Sequence, residues 1–185
     1  PIRISGTAET DDLDIGKFIS SELIGPVTLR TGLKAEIGKT KSAKIDSLFI
    51  DRLNLNNYDY TGIKASGALS ENMFNGTIIA SDPNLNFILQ GGFALSAKTN
   101  NARYKFYANV SDADLNAINI DKRGKSRLRF QTNANFTKTN DGNILGNIDI
   151  ADLIFENRDS TSHIGNINLT SHSSDNEYKI RLRSQ

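Results

Sequence analysis

The sequence predicts an all-β protein, a long antiparallel meander of hairpins with one short amphipathic helix near its start. Three observations carry this. Leu85, Phe87, Leu89, Gly91, Phe93 and Leu95 fall on alternate positions. Successive strand side chains point to opposite faces, so this stretch is a strand with one apolar face. The same period of two recurs along nearly the whole chain. The periodic runs are separated by turn formers, chief among them Asp82-Pro83-Asn84 and Asn140-Asp141-Gly142. Proline presets φ, Asp82 can accept a bond from the backbone two residues on, and Asp-Gly tolerates positive φ.

In chain order, Ile2, Ile4, Gly6 and Ala8 alternate with Arg3, Ser5 and Thr7 and form a first strand. Asp11, Asp12 and Asp14 place carboxylates where a helix N-terminus favours them, and Ile15, Phe18, Ile19 and Leu23 follow at helical spacing. A helix over residues 12–24 is therefore expected, stopped by Gly25-Pro26. Its apolar stripe is expected to pack on a sheet rather than on a membrane. Val27, Leu29, Leu33, Ala35 and Ile37 then share a face. Between Ala43 and Leu55 the phase changes, with Ile45 and Phe49 in one register and Leu48 and Ile50 in the other. A bulge, or a break between two strands, reconciles them.

Asn56-Asn57-Tyr58-Asp59-Tyr60 reads as a turn with aromatic anchors. Ile63, Ala65, Gly67 and Leu69 run toward a hairpin tip at Glu71-Asn72, and Phe74, Gly76, Ile78 and Ala80 return. Gly91-Gly92, mid-strand, predicts a bend or bulge. A turn at Thr99-Asn100-Asn101 leads to Tyr104, Phe106, Ala108 and Val110; Asp112 to Leu115 interrupts, and Ile118 and Ile120 form a short apolar piece. Leu128, Phe130, Thr132, Ala134 and Phe136 oppose a face of Arg, Gln and Asn. Ile144, Gly146, Ile148, Ile150, Leu153, Phe155, Ile167 and Leu169 continue the pattern. After a turn at Ser173 to Asn176, Tyr178, Ile180 and Leu182 alternate with Lys179, Arg181 and Arg183.

A dozen or so strands at ~4.8 Å spacing make a sheet about 50 Å across. Its apolar face must be hidden, either by folding on itself as a sandwich or barrel or by curling around something apolar. At 185 residues one domain is expected, and a net charge of +1 gives no bulk attraction to nucleic acid. Cysteine is absent, so no disulfide or thiolate site exists. No apolar run approaches the ~20 residues of a membrane-spanning helix. No signal peptide is visible, and the chain opens inside a strand without an initiator methionine, so a segment of a longer protein is expected.

The pattern of an enzyme is missing. There is no nucleophile elbow, phosphate-cradling glycine loop or zinc-binding His-Glu-x-x-His. His163 and His172, the only histidines, flank one expected strand and read as exposed polar residues. The aspartates at 11, 12 and 14 lack calcium-loop spacing, and helix capping accounts for them. No catalytic residue, metal or cofactor is expected. Four Asn-x-Ser/Thr sequons, at Asn75, Asn109, Asn135 and Asn168, arise by chance in so Asn- and Thr-rich a chain. Lys122, Arg123, Lys125, Arg127 and Arg129 form the one notable basic cluster. It reads as a solvated face and loop or, more sharply, as contact for an anionic lipid headgroup.

The run Asn56-Asn57-Tyr58-Asp59-Tyr60, then Phe74-Asn75-Gly76 and the stretch from Ser81 to Ser96 resemble the TamB family, in particular its Bacteroidetes members within the AsmA-like group. Leu13-Asp14-Ile15-Gly16 and Asp112-Ala113-Asp114-Leu115-Asn116 fit the same resemblance, which covers most of residues 11–120. Each motif is soft; their order and spacing together are more specific. Ala94 departs, standing where relatives often carry an acidic residue.

The resemblance implies a long periplasmic protein anchored in the inner membrane. Its body is a β-groove, or β-taco, with an apolar interior, and its C-terminal region pairs with an Omp85-type outer-membrane barrel. It further implies phospholipid passage between the two membranes and help with outer-membrane protein assembly. The expectation is thus an open β-groove, not an enzyme, with Phe74, Ile78, Leu85, Phe87, Leu89, Phe93, Leu95, Phe106, Phe130 and Phe136 lining it. Lys122, Arg123 and Lys125 are the expected headgroup contacts. Two other classes fit the same alternation: a chaperone-like module holding unfolded barrel strands at its edges, and a glycan-binding or structural β-sandwich.

Overall fold

The structure is a computed structural model, and it describes residues 2–14, 16–17, 23–37, 41–70, 73–94, 102–174 and 177–184. Eleven strands follow one another: β1 (Ile2–Asp14), β2 (Ile24–Ile37), β3 (Lys41–Leu55), β4 (Tyr58–Ser70), β5 (Met73–Asp82), β6 (Leu85–Ala94), β7 (Ala102–Asp114), β8 (Ser126–Lys138), β9 (Ile144–Asn157), β10 (Thr161–Ser174) and β11 (Glu177–Ser184). Each pairs antiparallel with the next in a single sheet whose order is the chain order. β1 and β11 are its two edges, so the sheet is not closed.

The turns follow the chemistry of their residues. Asn56 and Asn57 both adopt left-handed φ, +54° and +59°, the type I′ geometry that suits right-twisted strands. At the β5–β6 turn the Asn84 amide donates to Asp82 Oδ1 at 2.9 Å. Gly142 turns β8 into β9 with φ +81°. The tips at Glu71-Asn72, Thr99 to Asn101 and Asp175-Asn176 lie outside the described residues.

The expected helix over residues 12–24 is cut back at both ends. β1 continues through Asp12 to Asp14, with a bulge that lets Leu13 pair with Val27, and β2 already begins at Ile24. Sheet pairing draws Asp11 and Asp12 away from the cap they suggest in sequence, while Asp14 keeps that role. Between these strands Gly16 and Lys17 are helical, and Asp14 Oδ1 accepts the Lys17 amide at 3.2 Å. Ile15, Phe18 and Ile19 lie outside the described residues, and Leu23 is exposed. The phase change in β3 is a bulge within one strand. Ile45 pairs with Gly67 and Leu48 with Ala65, so an extra residue is accommodated at Asp46-Ser47. Ile45, Leu48 and Ile50 thereby reach one face. Phe49 turns to the other, with Arg30 at 5.6 Å and Lys64 at 5.9 Å from its ring centre.

The register carries side chains in rows across the sheet. Gly6, Leu33, Ile45, Gly67, Gly76, Gly91, Phe106, Ala134, Ile148, Leu169 and Leu182 stand directly opposite one another through all eleven strands. Three adjacent glycines in this row let neighbouring backbones close up. A Cβ on Gly76 would fall 2.1 Å from the Ser66 carbonyl oxygen, and one on Gly91, φ +129°, would fall 2.2 Å from that of Lys105. No bulge falls at Gly91-Gly92; the nearby register shift lies between Asn86 and Phe87.

One end of the sheet is strapped. The β7–β8 connection, residues 115–125, crosses the β5–β6 turn and meets the β3–β4 turn. Asn119 and Asn56 exchange side-chain to backbone hydrogen bonds, and Ile118 beside them is only 1% exposed. The chain nevertheless exposes 11873 Å², against about 8800 Å² expected for a compact monomer of this mass. The excess is that of a sheet curled but not closed on itself.

Candidate functional site

The apolar face is the feature that sets this fold apart. Register alone places nine of the ten expected lining residues together. Phe74, Ile78 and Ala80 on β5 stand opposite Phe93, Leu89 and Phe87 on β6. Leu85, Phe87, Leu89 and Gly91 in turn face Ala113, Val110, Ala108 and Phe106 on β7. Phe106 and Val110 face Ala134 and Phe130 on β8, and Phe136 faces Tyr104. The tenth residue, Leu95, lies outside the described residues. Ring contacts reinforce the rows, Phe74 on Phe93 at 5.3 Å and Tyr104 stacked on Phe136 at 4.7 Å.

This face is sheltered but not sealed. Of the nine lining residues described, Phe74 alone is fully buried, at 4% exposure; the others are half-buried. The buried hydrophobic residues are otherwise Val27, Tyr60, Ile118 and five alanines. A sandwich core would bury its large side chains, and this sheet buries its small ones. Both edges are bare: Ile2 and Ile4 on β1, and Ile180 and Leu182 on β11, are each at least half exposed. One hydroxyl interrupts the apolar rows. Thr132, between Ala108 and Ile150, is buried, and its Oγ1 has no hydrogen-bond partner.

A polar node fixes the strapped end. Asp82 is 1% exposed and accepts from the Tyr58 hydroxyl at 2.6 Å, the Thr61 amide at 2.8 Å, the Thr61 hydroxyl at 3.1 Å and the Asn84 amide at 2.9 Å. Burial pushes its carboxyl up, but the bonds from Tyr58, Asn84 and Thr61 outweigh this and hold it below the usual carboxylate range. Burial and the Asp82 charge push the Tyr58 and Tyr60 phenols up. Sequence reasoning found the turn at Asp82 but not its burial. It also read Ile118 and Ile120 as a short apolar piece and gave Asn119 no role.

The basic cluster is largely neutralised. Arg123 binds Asp121 at 2.9 Å, Lys125 binds Glu156 at 2.5 Å, and Arg127 and Arg129 lie within 3.6 Å of Asp112. Arg123 holds the Asp121 carboxyl far below its ordinary value, and Lys125 lowers that of Glu156. Of the three expected headgroup contacts, Lys122 alone has no ion pair among the described residues. His163 and His172 sit within β10 rather than flanking it, and both are exposed. Asp14 is a cap, as expected. Asp12 instead pairs with Arg52, and Asp11 and Asp12 receive the Thr28 hydroxyl. Among the described residues no cluster of potential metal ligands forms, and no helix is long and apolar enough to cross a membrane.

The opposite face carries Arg, Lys, Asn, Gln and Thr. A cavity of about 840 Å³ spans β5 to β9, mainly along the polar-face rows Asn75, Gly92, Lys105, Asn135, Asn147 and Gln90, Tyr107, Asn133, Asp149, with Phe74, Gly91, Phe106 and Ala134 also touching it. What the fold defines is an open antiparallel β-meander with one incompletely buried apolar face and one amide-rich polar face. Among protein-family models, curated proteins and solved structures, none matches this chain.

Proposed function

We propose that this chain is a segment of a lipid conduit of the TamB kind, passively carrying phospholipid acyl chains along the apolar face of an open β-groove. The observation that carries the reading is the incomplete burial of Ile78, Leu85, Phe87, Leu89, Phe93, Phe106, Phe130 and Phe136 in the folded chain. A face that stays wet in the protein alone is one that an acyl chain can dry, at about 0.8 kcal/mol per CH₂ transferred. No single residue then needs to be a specific site, and no enzyme chemistry is involved. In this reading the parent protein is anchored in the inner membrane, crosses the periplasm and meets an Omp85-type outer-membrane barrel. The resemblance in residues 56–60, 74–76 and 81–96 supports those partners and that location.

The test is lipid retention. Purified from a lipid-containing source, the chain should carry phospholipid visible by native mass spectrometry. Leu89→Arg puts a charge in the middle of the lining. In an open groove the guanidinium can reach water, so the fold survives while lipid is lost. A folded Leu89→Arg protein that retains lipid like the parent would refute the conduit. A second reading, capture of unfolded barrel strands by β-augmentation, is favoured by the bare edges of β1 and β11. It predicts peptide binding without lipid.

A further inference from the structure

We infer that the polar face holds a second site, a basin that takes an acidic oligosaccharide: a hydroxyl-rich chain bearing carboxylate groups. This rests on the side opposite the apolar groove and stands whether or not that groove carries lipid.

The basin's floor is Gly92. A Cβ there would meet nothing nearer than 3.9 Å, so the depression exists because one side chain is missing from a row of long ones. Around it stand the amides of Asn75, Gln90, Asn133 and Asn135, the phenol of Tyr107, and Arg103 and Lys105. No hydrogen bond or ion pair within the chain engages these four amides or these two cations among the described residues. Several other cations on this face are matched, Lys34 and Lys44 by Asp46, Arg30 by Asp51 and Arg52 by Asp59, while Lys64, Arg181 and Arg183, outside the basin, have no ion pair among the described residues. Asp149 is the basin's one carboxylate, and Asn168 (at 2.5 Å) and Asn147 already hold it from the β9–β10 side. Tyr107 is likewise anchored, its hydroxyl donating to Gln131 Oε1 at 3.1 Å.

The chemistry selects the ligand. Side-chain amides offer both donor and acceptor, the pairing that sugar hydroxyls need. Two unmatched cations against one engaged carboxylate give a site that favours negative charge without demanding much of it. The length of the basin, across five strands at ~4.8 Å each, suits several linked rings rather than one small anion.

Calorimetric titration of the whole chain would decide it, with a short oligogalacturonate as probe and maltohexaose, inorganic phosphate and phosphatidylglycerol vesicles as comparisons. The uronate oligomer should bind saturably and more tightly than the neutral one. The double variant Arg103→Gln, Lys105→Gln should weaken it by about tenfold or more, roughly 1.4 kcal/mol. Gly92→Thr, which has room for its side chain and suits a strand, should abolish binding while circular dichroism stays unchanged. Binding of the oligomer that both variants leave intact would overturn the site. So would phosphate or vesicles competing at equal strength through the same residues, since either would make the ligand something other than a glycan. No binding of the oligomer would overturn it outright.

Discussion

Asn56 and Asn119, 63 residues apart, hold each other's backbone: Asn56 Nδ2 donates to the Asn119 carbonyl at 2.8 Å, and Asn119 Nδ2 donates to the Asn56 carbonyl at 3.0 Å. Asn119 also donates to the Asn57 carbonyl at 3.1 Å. Both residues have left-handed φ, which asparagine tolerates better than other side-chain-bearing residues. Asn119→Ala removes the two bonds that Asn119 Nδ2 donates, leaves its carbonyl to accept from Asn56, and adds backbone strain. It should lower stability by about 2 kcal/mol in urea unfolding. Amide exchange should quicken in residues 115–125 before it does in β5 or β6.

Asp82 gives a pH dependence of known sign. Its folded-state pKa lies below its unfolded value, so its stabilisation is complete above about pH 4 and is lost as pH falls through the folded pKa. Asp14, Asp46, Asp121 and Glu156 shift in the same direction at the surface, so the test is a difference. Asp82→Asn should destabilise at pH 7 by about 2–3 kcal/mol and flatten the acid limb of a stability–pH curve. An acid limb as steep as the parent's would show that other carboxylates dominate it.

The glycine row separates two outcomes for one chemical change. Gly91→Ala should cost about 2 kcal/mol or more, because its Cβ collides with the Lys105 carbonyl and its φ is positive. Gly6→Ala, in the same row but with nothing within 4 Å, should stay within about 0.5 kcal/mol. Thermal midpoints of the two variants, compared with the parent, settle this directly.

Thr132→Val tests the partnerless hydroxyl among the apolar rows. Valine has nearly the same shape, and the change removes a buried polar atom with no hydrogen bond. A gain of about 1 kcal/mol is expected, read as a raised urea midpoint at unchanged slope. A loss would mean that the hydroxyl does find a partner.

Local rules were enough for most of this architecture. Alternation in Leu85 to Phe93 and turn chemistry at Asp82-Pro83, Asn56-Asn57 and Asp141-Gly142 each depend on residues close in sequence, and the structure follows them. Three features depend on partners far along the chain and left no such trace. Leu13 is in a strand because Val27 pairs with it, although the aspartates before it look like a helix cap. The charges of Arg127 and Arg129 are matched by Asp112 on the neighbouring strand, so a basic run in sequence is not a basic patch in space. Ile118 is buried by the strap, and a lone isoleucine has no period from which burial is read. For the candidate groove the shared face was legible residue by residue. Its incomplete covering depends on how far the sheet curls, which alternation does not encode.

Because strand pairing never leaves chain neighbours, the width of this sheet is not quantised. A barrel must satisfy strand number and shear together; a linear meander answers to neither. Removing β10 and β11 as a pair would leave β9, which runs in the same direction as β11, as the new edge. Duplicating such a pair would extend the rows without disturbing those already there. Stability then grows by nearly independent increments, as in repeat proteins. The exception is the span from β4 to β7, which the Asn56–Asn119 bridge ties into one indivisible block. Hairpin gain and loss on either side of that block is therefore the cheapest route by which sequences of this type change length.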